Sequence, residues 1–505
     1  MRFHATPLHA PLITPIPRDG DLPAIPVEAV VAPGHDLAGR LLQPGALAVT
    51  TGQQPGLFTG PLYTIHKALS AVALARQLEA RWHRPVVPVF WLAGDDHDFH
   101  EANHASWLRV DGTLRTHVLR ERPAEAPLTP MSRELLGPEM GAALEALGGD
   151  LPPSDHRDET LAWLARHYRP ESTVAAAFGG ALAELLAPFG VVCVDSAHPA
   201  VKRAAAPVIT RALQHAATLE RVLLARSAEL AGEGVDPGVP VGGGATLVML
   251  EGRQGRDRLI RDGDAFITRR SGERFAHGEL ERLAAASPER FSGNVLLRPV
   301  VESTLLPTVA YVAGPGELRY LSLCAPLYTA LAVPRQLPVP RWSGMLVEPR
   351  VDRVLEKFGV EIAELLVPGG RLETRLVRDQ LPLEASAALA DLRAAIERGY
   401  TTLEAVARDV DPTLQRPVQV LRHGALTGTQ EAEKKLIQHL KRRQETELGQ
   451  VDRARTALLP GGKPQERVLT AAPFLARYGP GLLPALAGEI HSWYGAALEG
   501  GGQPS

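Results

Sequence analysis

An acidic and histidine-containing segment, Gly94 to His104 (GDDHDFHEANH), concentrates ionisable side chains directly after an apolar stretch. Carboxylates there could hold an ammonium group, take a proton from an amine nucleophile or bind Mg²⁺, and His97 or His104 could transfer protons near neutral pH. The alternative is a solvated helix start, because Asp and Glu favour the first turn of a helix. We predict acid–base catalysis or cation binding by this segment, centred on Asp96, His97 and Asp98.

A glycine- and glutamine-rich stretch, Thr51 to Ala68 (TGQQPGLFTGPLYTIHKA), has the requirements of a cradle for phosphate or carboxylate. Glycines let the backbone approach a ligand, and the amides at a helix N-terminus carry partial positive charge. Thr59, Tyr63, His66 and Lys67 would add directed donors. The stretch is neither a Walker motif nor G-x-G-x-x-G, so a structural loop with a helix cap is the alternative.

Two further polar groups follow later in the chain. Arg298 lies in apolar runs that we predict to be strands ending in a Gly-Pro-Gly turn, and it could clamp a carboxylate through two hydrogen bonds. The alternative for Arg298 is a salt bridge with Glu302 at the end of a strand. The candidates of this region are Asn294, Arg298, Tyr311 and Glu317. A second group, after a Pro-Gly-Gly-Lys-Pro turn, could bind phosphate or begin a helix: Gln465, Glu466 and Arg467.

His100, Glu101 and His104 spell H-E-x-x-H, the pattern in which two histidines one helical turn apart bind zinc and the glutamate activates water. This pattern makes a zinc-dependent hydrolase an alternative function. A zinc-protease helix should be long and should have a third ligand downstream, whereas this segment reaches Asp111 and Gly112 after roughly two turns. We therefore predict no metal ion at these residues.

The polar loops need a scaffold that brings them together. The sequence predicts a strand from Ala46 to Thr50, a helix from Tyr63 to Trp82 with apolar residues at helical spacing and Pro61 in its first turn, and a buried strand from Val86 to Leu92. Strand, helix and strand form a right-handed βαβ unit, and open α/β sheets bind ligands outside the carboxyl ends of their strands. Both polar loops fall at such ends.

The rest of the chain predicts further parallel-sheet segments, two insertions and a helical C-terminal part. One long helix is predicted from Val201 to Leu230, and two more, joined through Asp411 to Thr429, form an antiparallel coiled-coil hairpin. The fold class is α/β. The predicted segments are 1–108, 170–231 and 291–380 for the core, 109–169 and 232–290 for inserted subdomains, 381–460 for the hairpin, and 461–505 for a segment that packs back on the core.

Composition argues against several classes of protein. The net charge of the 505 residues is −3 and the basic residues are dispersed, which argues against a nucleic-acid partner. The longest weakly charged run, Thr173 to Val194, contains a glutamate, a proline and paired glycines, so no membrane span is predicted. The first residues lack the continuous apolar segment of an export signal. Cys193 and Cys324 are too few for a disulfide framework, which favours a reducing cytoplasm.

Four long stretches, ordered along nearly the whole chain, together resemble the cysteine-adding enzyme family of bacillithiol biosynthesis. They are TGQQPGLFTGPLYTIHKA, PVVPVFWLAGDDHDFHEANH, NVLLRPVVESTLLPTVAYVAGPGELRY and PGGKPQER. The resemblance implies a Rossmann-like core related to nucleotidyl transferases, connecting-peptide insertions and a C-terminal coiled coil that supports a homodimer. It also implies a ligase that adds L-cysteine to malyl-glucosamine. Carried over residue by residue, it draws attention to Gly52, Gln53, Gln54, Gly60, Tyr63, His66, Lys67, Asp96, His97, Asp98 and His104.

Joining an amine to a carboxylate is uphill in water unless the carboxylate is activated, so such a ligase should use ATP, through an acyl phosphate or an acyl adenylate. ATP or ADP is therefore the expected nucleotide, together with Mg²⁺. A non-enzymatic alternative is a coiled-coil assembly protein with a vestigial nucleotide fold. The expected roles are charge neutralisation by Lys67, Arg298 and Arg467, orientation of sugar hydroxyls by Gln53, Gln54, Tyr63 and Asn294, and deprotonation of the ammonium by Asp96, His97 or Asp98. The predicted catalytic residues are His66, Lys67, Asp96, His97 and Asp98.

Overall fold

The computed structural model describes residues 1–8, 11–20, 22–32, 35–367 and 370–500. The chain folds into two compact units. The larger, which we call the core unit, comprises Phe3–Met345 and Gln465–Ser505, and the smaller, the helical unit, comprises Met1–Arg2 and Leu346–Pro464. The finer division into seven segments stays a prediction.

The strands of the described residues, in chain order, are β1 (Arg2–Ala5), β2 (Leu47–Gln53), β3 (Val86–Leu92), β4 (His104–Leu108), β5 (Leu114–Val118), β6 (Val192–Asp195), β7 (Ala245–Gly252), β8 (Gly255–Asp262), β9 (Ala265–Thr268), β10 (Arg274–Ala276), β11 (Phe291–Gly293), β12 (Thr308–Ala313), β13 (Leu337–Pro340) and β14 (Gly344–Val347).

The α-helices of the described residues are α1 (His35–Leu41), α2 (Tyr63–Trp82), α3 (Phe99–Ala102), α4 (Glu139–Asp150), α5 (Arg157–His167), α6 (Val174–Leu186), α7 (Pro199–Gln214), α8 (Ala216–Gly232), α9 (His277–Ala286), α10 (Arg298–Leu305), α11 (Pro315–Ala330), α12 (Pro349–Phe358), α13 (Ile362–Leu365), α14 (Arg371–Arg378), α15 (Leu383–Val410), α16 (Gln415–Arg443), α17 (Glu445–Leu458), α18 (Gln465–Val468), α19 (Ala472–Tyr478) and α20 (Leu482–Gly500).

A five-stranded parallel sheet with the order β13-β12-β2-β3-β6 forms the centre of the core unit. If the five strands are numbered 1 to 5 in chain order, they read 3-2-1-4-5 across the sheet from β6 to β13. This is the strand order of a doubly wound, Rossmann-like sheet. The chain moves outward in one direction from β2 to β3 and β6, and then in the other direction to β12 and β13. The predicted fold class is confirmed, and its ligand crevice is expected where the direction changes, between β2 and β12.

Helix α2 connects β2 with β3 and lies against both strands and against α20. It begins and ends at the predicted residues, and His83 terminates it in the left-handed region (φ 53°). Pro61 precedes the helix instead of lying in its first turn. Most of its side chains are buried on all sides, as expected for a helix enclosed by the core. This burial includes Lys67, whose side chain is only 2% exposed.

An antiparallel sheet has the order β10-β9-β8-β7-β11. The second predicted insertion supplies β7 to β10, and β11 follows directly after it. The buried residues Val248, Leu250 and Leu259 of this sheet belong to the same hydrophobic cluster as Val87 and Val89 of the parallel sheet. The two sheets therefore share one core. That shared core fixes the position of β8, which supplies side chains to the site described below.

Two predicted elements of the core unit are wrong. Arg298 begins helix α10 and does not lie on a strand. Pro299 suits the first turn of a helix. The Asn294 side chain caps the preceding turn, because it accepts hydrogen bonds from the Leu296 and Leu297 amides. The single helix predicted from Val201 to Leu230 is two helices, α7 and α8, which meet at His215.

In the helical unit, α15 and α16 form the predicted antiparallel hairpin, but their connection is only Asp411 to Leu414. The predicted connection extended to Thr429, well into what is helix α16. Pro417 falls in the first turn of α16, where a missing N–H removes no helical hydrogen bond. Ion pairs of Arg393 with Glu433 and of Arg422 with Glu397 link the two helices.

Within the part of the chain that the structure describes, no helix combines the length and the apolar character needed to cross a membrane.

Candidate active site

A cavity of about 620 Å³ lies at the carboxyl ends of β2 and β12, where the parallel sheet changes direction. Its wall includes Gly52 and Gln53 from β2, the Gly314 to Glu317 turn after β12, the acidic loop after β3, and residues of the inserted sheet. A Cβ atom at Gly52 would lie 2.7 Å from the Trp91 carbonyl oxygen, so this position of the wall accepts glycine only. The site therefore occupies the crevice that the fold predicts.

Lys67, Arg298 and Glu317 form one side of the cavity, which we call the cation wall. The Lys67 Nζ lies 2.7 Å from Glu317 Oε2, and it donates to Gln53 Oε1 (3.2 Å) and to the Gly52 carbonyl. Burial lowers the pKa of Lys67, while the Glu317 carboxylate opposes that shift. The ammonium is thus held in place by three acceptors before any ligand binds.

One terminal nitrogen of the Arg298 guanidinium is hydrogen-bonded to described residues and the other is not. Its Nη2 donates to the hydroxyls of Tyr311 (3.1 Å) and Tyr320 (3.0 Å), and Tyr311 donates in turn to Glu317 (2.8 Å). Its Nη1 is buried without a hydrogen-bond partner among the described residues, 3.6 Å from Glu302 Oε2. A buried donor without a partner is costly, and a substrate oxygen would satisfy it.

Glu302 lies beneath Arg298 on helix α10 and is fully buried. It accepts a hydrogen bond from Thr50, and its other oxygen has no hydrogen-bond partner among the described residues. Burial raises the pKa of Glu302 to about 7, although the Arg298 charge opposes the shift. The ion pair of Arg298 with Glu302 that the sequence offered as an alternative is present (3.6 Å), although both residues lie on helix α10 and not at the end of a strand.

Asp95, Asp96, Asp98 and Glu101 form the acidic rim of the same cavity. Asp95 pairs with Lys202 of α7. Asp98 caps α3 by accepting from the Glu101 amide (3.2 Å), and Asp96 accepts from the Asp98 amide (3.0 Å). The sequence left open which acid caps the helix, and the structure identifies Asp98 as the cap.

Glu101, on the short helix α3, is a further acid of the rim. Burial raises the pKa of Glu101, and the neighbouring Asp98 and Asp96 charges raise it further. A carboxyl group with a raised pKa exchanges protons nearer to neutral pH. Glu101, which the sequence placed both in the acidic segment and in the zinc pattern, is therefore an acid–base candidate.

His97, one of the predicted acid–base candidates, lines the cavity. Its Nδ1 lies 3.1 Å from the Arg256 Nη1. A guanidinium can only donate, so Nδ1 accepts and the proton of the neutral ring resides on Nε2. Burial and the Arg256 charge both lower the pKa of His97. The second ring nitrogen is then a donor, and the role of His97 as a base stays a prediction.

Most of the predicted site residues line the cavity: Gly52, Gln53, Gln54, Tyr63, Lys67, Asp96, His97, Asp98, Asn294, Arg298, Glu317 and Arg467. The two predicted loops meet directly, because the Gln54 side chain donates to the Asp98 carbonyl (2.7 Å). Arg467 and Arg341 approach the ring of Tyr63, with distances of 6.0 and 5.8 Å to its centre. The remaining predicted residues are not part of the cavity lining: Thr59, Gly60, His66, His104, Tyr311, Gln465 and Glu466.

His66, predicted as catalytic, faces away from the cavity although Lys67 beside it faces in. Its Nδ1 lies 3.0 Å from Glu466 Oε2, and its ring packs edge-on against Trp342. Glu466 also accepts two hydrogen bonds from Arg341 (2.8 and 2.6 Å). Burial alone would raise the pKa of Glu466, but the bonds from His66 and Arg341 lower it to about 2. His66 and Glu466 thus hold Arg341, which lines the cavity.

Thr59 and Gly60 determine the backbone conformation of the glycine-rich loop. Both have positive φ angles (67° and 70°), and the Thr59 amide donates to the Tyr168 hydroxyl (2.7 Å). Thr59 is fully buried. Their contribution is to the course of the backbone, so we assign them no direct contact with substrate.

The H-E-x-x-H residues do not share the helix that a zinc protease requires. Helix α3 ends at Ala102, and His104 is the first residue of β4. The His104 Nδ1 contacts the His100 carbonyl (3.1 Å) and the Asn103 side chain. Within residues 1–8, 11–20, 22–32, 35–367 and 370–500, no group of three or more His, Cys, Asp or Glu residues is arranged to hold a metal ion.

Several cavity residues were not predicted from the sequence: Ser196, Lys202, Arg256, Tyr320 and Arg341. Ser196 lies after β6, the third strand of the sheet, and its buried hydroxyl has no hydrogen-bond partner among the described residues. Its position after a predicted strand was a usable signal. Arg256 lies in the inserted sheet, where nothing in the local sequence indicates a site.

The fold and the cavity define a class: Rossmann-like enzymes that bind a small, charged ligand at the switch point of a parallel sheet. Family models narrow this class. Residues 35–342 match "Bacillithiol biosynthesis BshC, N-terminal Rossmann-like domain", and residues 344–495 match "Bacillithiol biosynthesis BshC, C-terminal coiled-coil domain". The chain belongs to the BshC family, which confirms the resemblance seen in the sequence.

Curated relatives agree with this family. A protein of Symbiobacterium thermophilum is 34% identical over 486 residues, covering 89% of this chain and 83% of the relative. A protein of Prosthecochloris aestuarii is 32% identical over 479 residues, covering 90% and 83%. One of Koribacter versatilis is 34% identical over 466 residues, covering 88% and 82%. Each carries the name "Putative cysteine ligase BshC".

Proposed function

We propose that this protein is an amide-forming ligase that joins the amine of L-cysteine to the malyl carboxylate of malyl-glucosamine, with ATP as the activating nucleotide. The observation that carries the proposal is the pairing of opposite charges in one cavity: the cation wall can bind a carboxylate, and the acidic rim can bind an ammonium. The names of the relatives support the cysteine part of the proposal.

The cation wall binds the malyl carboxylate. The buried Nη1 of Arg298 is oriented by the two tyrosines and has no hydrogen-bond partner among the described residues, so it is the first donor to a substrate oxygen. Lys67 supplies a second positive charge, which is partly offset by Glu317. Fixed donors in a buried site stabilise the negative charge that develops on the acyl oxygen more strongly than water does.

The acidic rim binds and deprotonates the amine of cysteine. In the activation step a malyl carboxylate oxygen forms a bond to a phosphorus of ATP, and the P–O bond to the leaving ADP, or to pyrophosphate in the adenylate route, breaks. The amine nitrogen forms the C–N bond, the C–O bond to the phosphate breaks, and the bonding electrons leave with the phosphate. The proton of the ammonium passes to Asp96 or Glu101, because Asp98 caps a helix and Asp95 pairs with Lys202.

The sugar and the nucleotide have matching groups on the cavity wall. Asn294 uses its Oδ1 for the cap, which leaves its amide NH₂ to donate to a hydroxyl, and Gln53, Gln54 and Tyr63 surround the same space. Arg467 adds a cation for phosphate. Mg²⁺ would accompany ATP, since this ion is usually held by one or two carboxylates together with substrate phosphates.

The direct test is incubation of the purified full-length chain with malyl-glucosamine, L-cysteine and Mg-ATP, followed by mass spectrometry. Cysteinyl-malyl-glucosamine should form together with one equivalent of ADP or AMP. Serine in place of cysteine serves as the control for the acceptor. Absence of product with each nucleoside triphosphate would contradict the proposal.

We also propose a cytoplasmic homodimer that forms through the hairpin. Apolar side chains of α15 and α16 are exposed in the single chain, among them Val410 (73%), Val420 (65%) and Leu421 (59%). Such side chains at a helical surface favour association. Light scattering should give twice the chain mass, and Val420→Glu with Leu421→Glu should give the monomer mass. A wild-type monomer would contradict the dimer and leave the proposed chemistry unaffected.

A further inference from the structure

A second cavity, of about 400 Å³, adjoins the active-site cavity on the inserted sheet. The two share His97, Met249, Arg256 and Arg258 as lining residues. We call the second cavity the basic pocket. Its shared wall means that a ligand in it lies next to the groups proposed to carry out the chemistry.

The basic pocket gathers four guanidinium groups, those of Arg256, Arg258, Arg269 and Arg270. Arg256 donates only to neutral acceptors: the Ser292 hydroxyl, the Gly293 carbonyl and His97. Arg270 donates to the Ala124 carbonyl (2.7 Å). Among the described residues, none of the four lies within ion-pair distance of a carboxylate.

Other arginines of the same sheet behave differently. Arg253 pairs with Glu273 (3.0 Å), Arg261 pairs with Glu220 (2.6 Å), and Arg274 pairs with Asp262. The general surface of the sheet therefore satisfies its cations with carboxylates. Within the described part of this sheet, the arginines that line the basic pocket are the ones left without a carboxylate.

Asp257 is the acidic residue that lines the basic pocket, and its charge is already engaged. Its Oδ2 accepts from the backbone amides of Arg270 (2.7 Å) and Ser271 (2.9 Å), so it fixes the turn that carries Arg269 and Arg270. Burial, followed by the charges of Arg269 and Arg256, lowers the pKa of Arg258. The cluster therefore repels itself, and an anion with several negative charges would relieve that repulsion.

We propose that the basic pocket binds the phosphate chain of the nucleotide, with Arg258, Arg269 and Arg270 as its contacts and Arg256 at the shared wall. Guanidinium groups bind phosphate through paired, charge-assisted hydrogen bonds. The Nε2–H of His97 is the donor on the wall between the phosphates and the acyl group. The inference rests on the proposed function in taking ATP as the source of the phosphates.

The test is calorimetric titration of the full-length chain with ATP and, separately, with inorganic tripolyphosphate. Arg258→Gln and Arg269→Gln should each raise the Kd for both ligands by about tenfold or more, since hydrogen bonds to charged groups have effects of this order. The matched control is Arg253→Gln, on the same sheet but outside the basic pocket, which should keep Kd within about twofold. Arg258→Lys should fall between wild type and Arg258→Gln, and melting curves show that each variant is folded.

The outcomes separate this inference from the proposed function. If Arg258→Gln and Arg269→Gln leave both Kd values unchanged and product still forms, phosphate binding in the basic pocket is contradicted and the proposed function is not. If the substitutions weaken tripolyphosphate binding, the basic pocket is supported. If the same protein forms no cysteine product, the proposed function is contradicted. ATP binding without tripolyphosphate binding would also overturn the inference, because recognition would then depend on the nucleoside.

Discussion

The cation wall and the acidic rim line one cavity, yet they differ in how firmly they are held. Lys67, Arg298 and Glu317 are mostly buried, lie on α2, α10 and α11, and are joined through tyrosines. The acidic rim lies on the loop after β3 and on the short helix α3, its carboxylates are half-buried or exposed, and Asp96 and Asp98 accept from nearby backbone amides. The difference indicates that the cation wall is preorganised and intolerant of change, whereas the acidic rim can change protonation during a reaction.

The largest effect is expected at the cation wall. Arg298→Lys keeps the charge but loses the planar donor geometry that the two tyrosines orient, so kcat/KM for malyl-glucosamine should fall by about 10³-fold. Arg319→Lys, on the exposed face of α11, is the matched control and should leave kcat/KM unchanged. Activity of Arg298→Lys within about threefold of wild type would show that this wall does not bind the carboxylate.

The next effect concerns stability and pH at Glu302. Its pKa of about 7 lies above the usual value, so its contribution to stability is complete below about pH 4.5 and is lost as the pH rises through 7. The loss amounts to about 3 kcal/mol. Urea titrations of Glu302→Gln should lack this decline, whereas the exposed Glu289→Gln should retain it. An identical pH profile for wild type and Glu302→Gln would mean that Glu302 ionises normally.

Substitutions in the acidic rim should distinguish an acid that takes part in the reaction from one that stabilises the fold. Either Asp96→Asn or Glu101→Gln should lower kcat by about 10²-fold at neutral pH, because one of these two carboxylates accepts the proton and general-base catalysis has an effect of this order. The matched variant, Asp98→Ala, should lower the free energy of unfolding by about 1 kcal/mol through loss of the helix cap and reduce kcat less. A loss of kcat in Asp98→Ala as large as the larger loss of the other two variants would contradict this division.

The smallest effect is expected at His100. Its side chain is exposed, and its ion pair with Glu121 is a long one (3.8 Å). His100→Ala should leave both the ligase rate and the metal content of the purified protein unchanged, as measured by mass spectrometry of product and of metals. A loss of bound zinc together with activity would revive the hydrolase alternative.

Local sequence patterns determined the scaffold. The helix Tyr63–Trp82 and the strand Val86–Leu92 have the predicted bounds, because a continuous apolar run and a helical repeat each depend on neighbouring residues only. The same patterns placed two polar loops at strand ends, and these loops do meet. Arg298 was assigned to a strand because eight residues, many of them β-branched, fit a short helix as well as a strand.

The direction of each side chain was decided only by the tertiary structure. His66 and Lys67 are adjacent on a helix that is buried on nearly all sides, so the apolar pattern could not show which one faces the cavity. Successive side chains on a helix point roughly 100° apart, and here one meets Glu466 while the other meets Glu317. The tautomer of His97 likewise depends on Arg256, 159 residues away. The sequence determined the helix and strands that carry the two polar loops and the kinds of charge, and long-range packing determined which charges share a cavity.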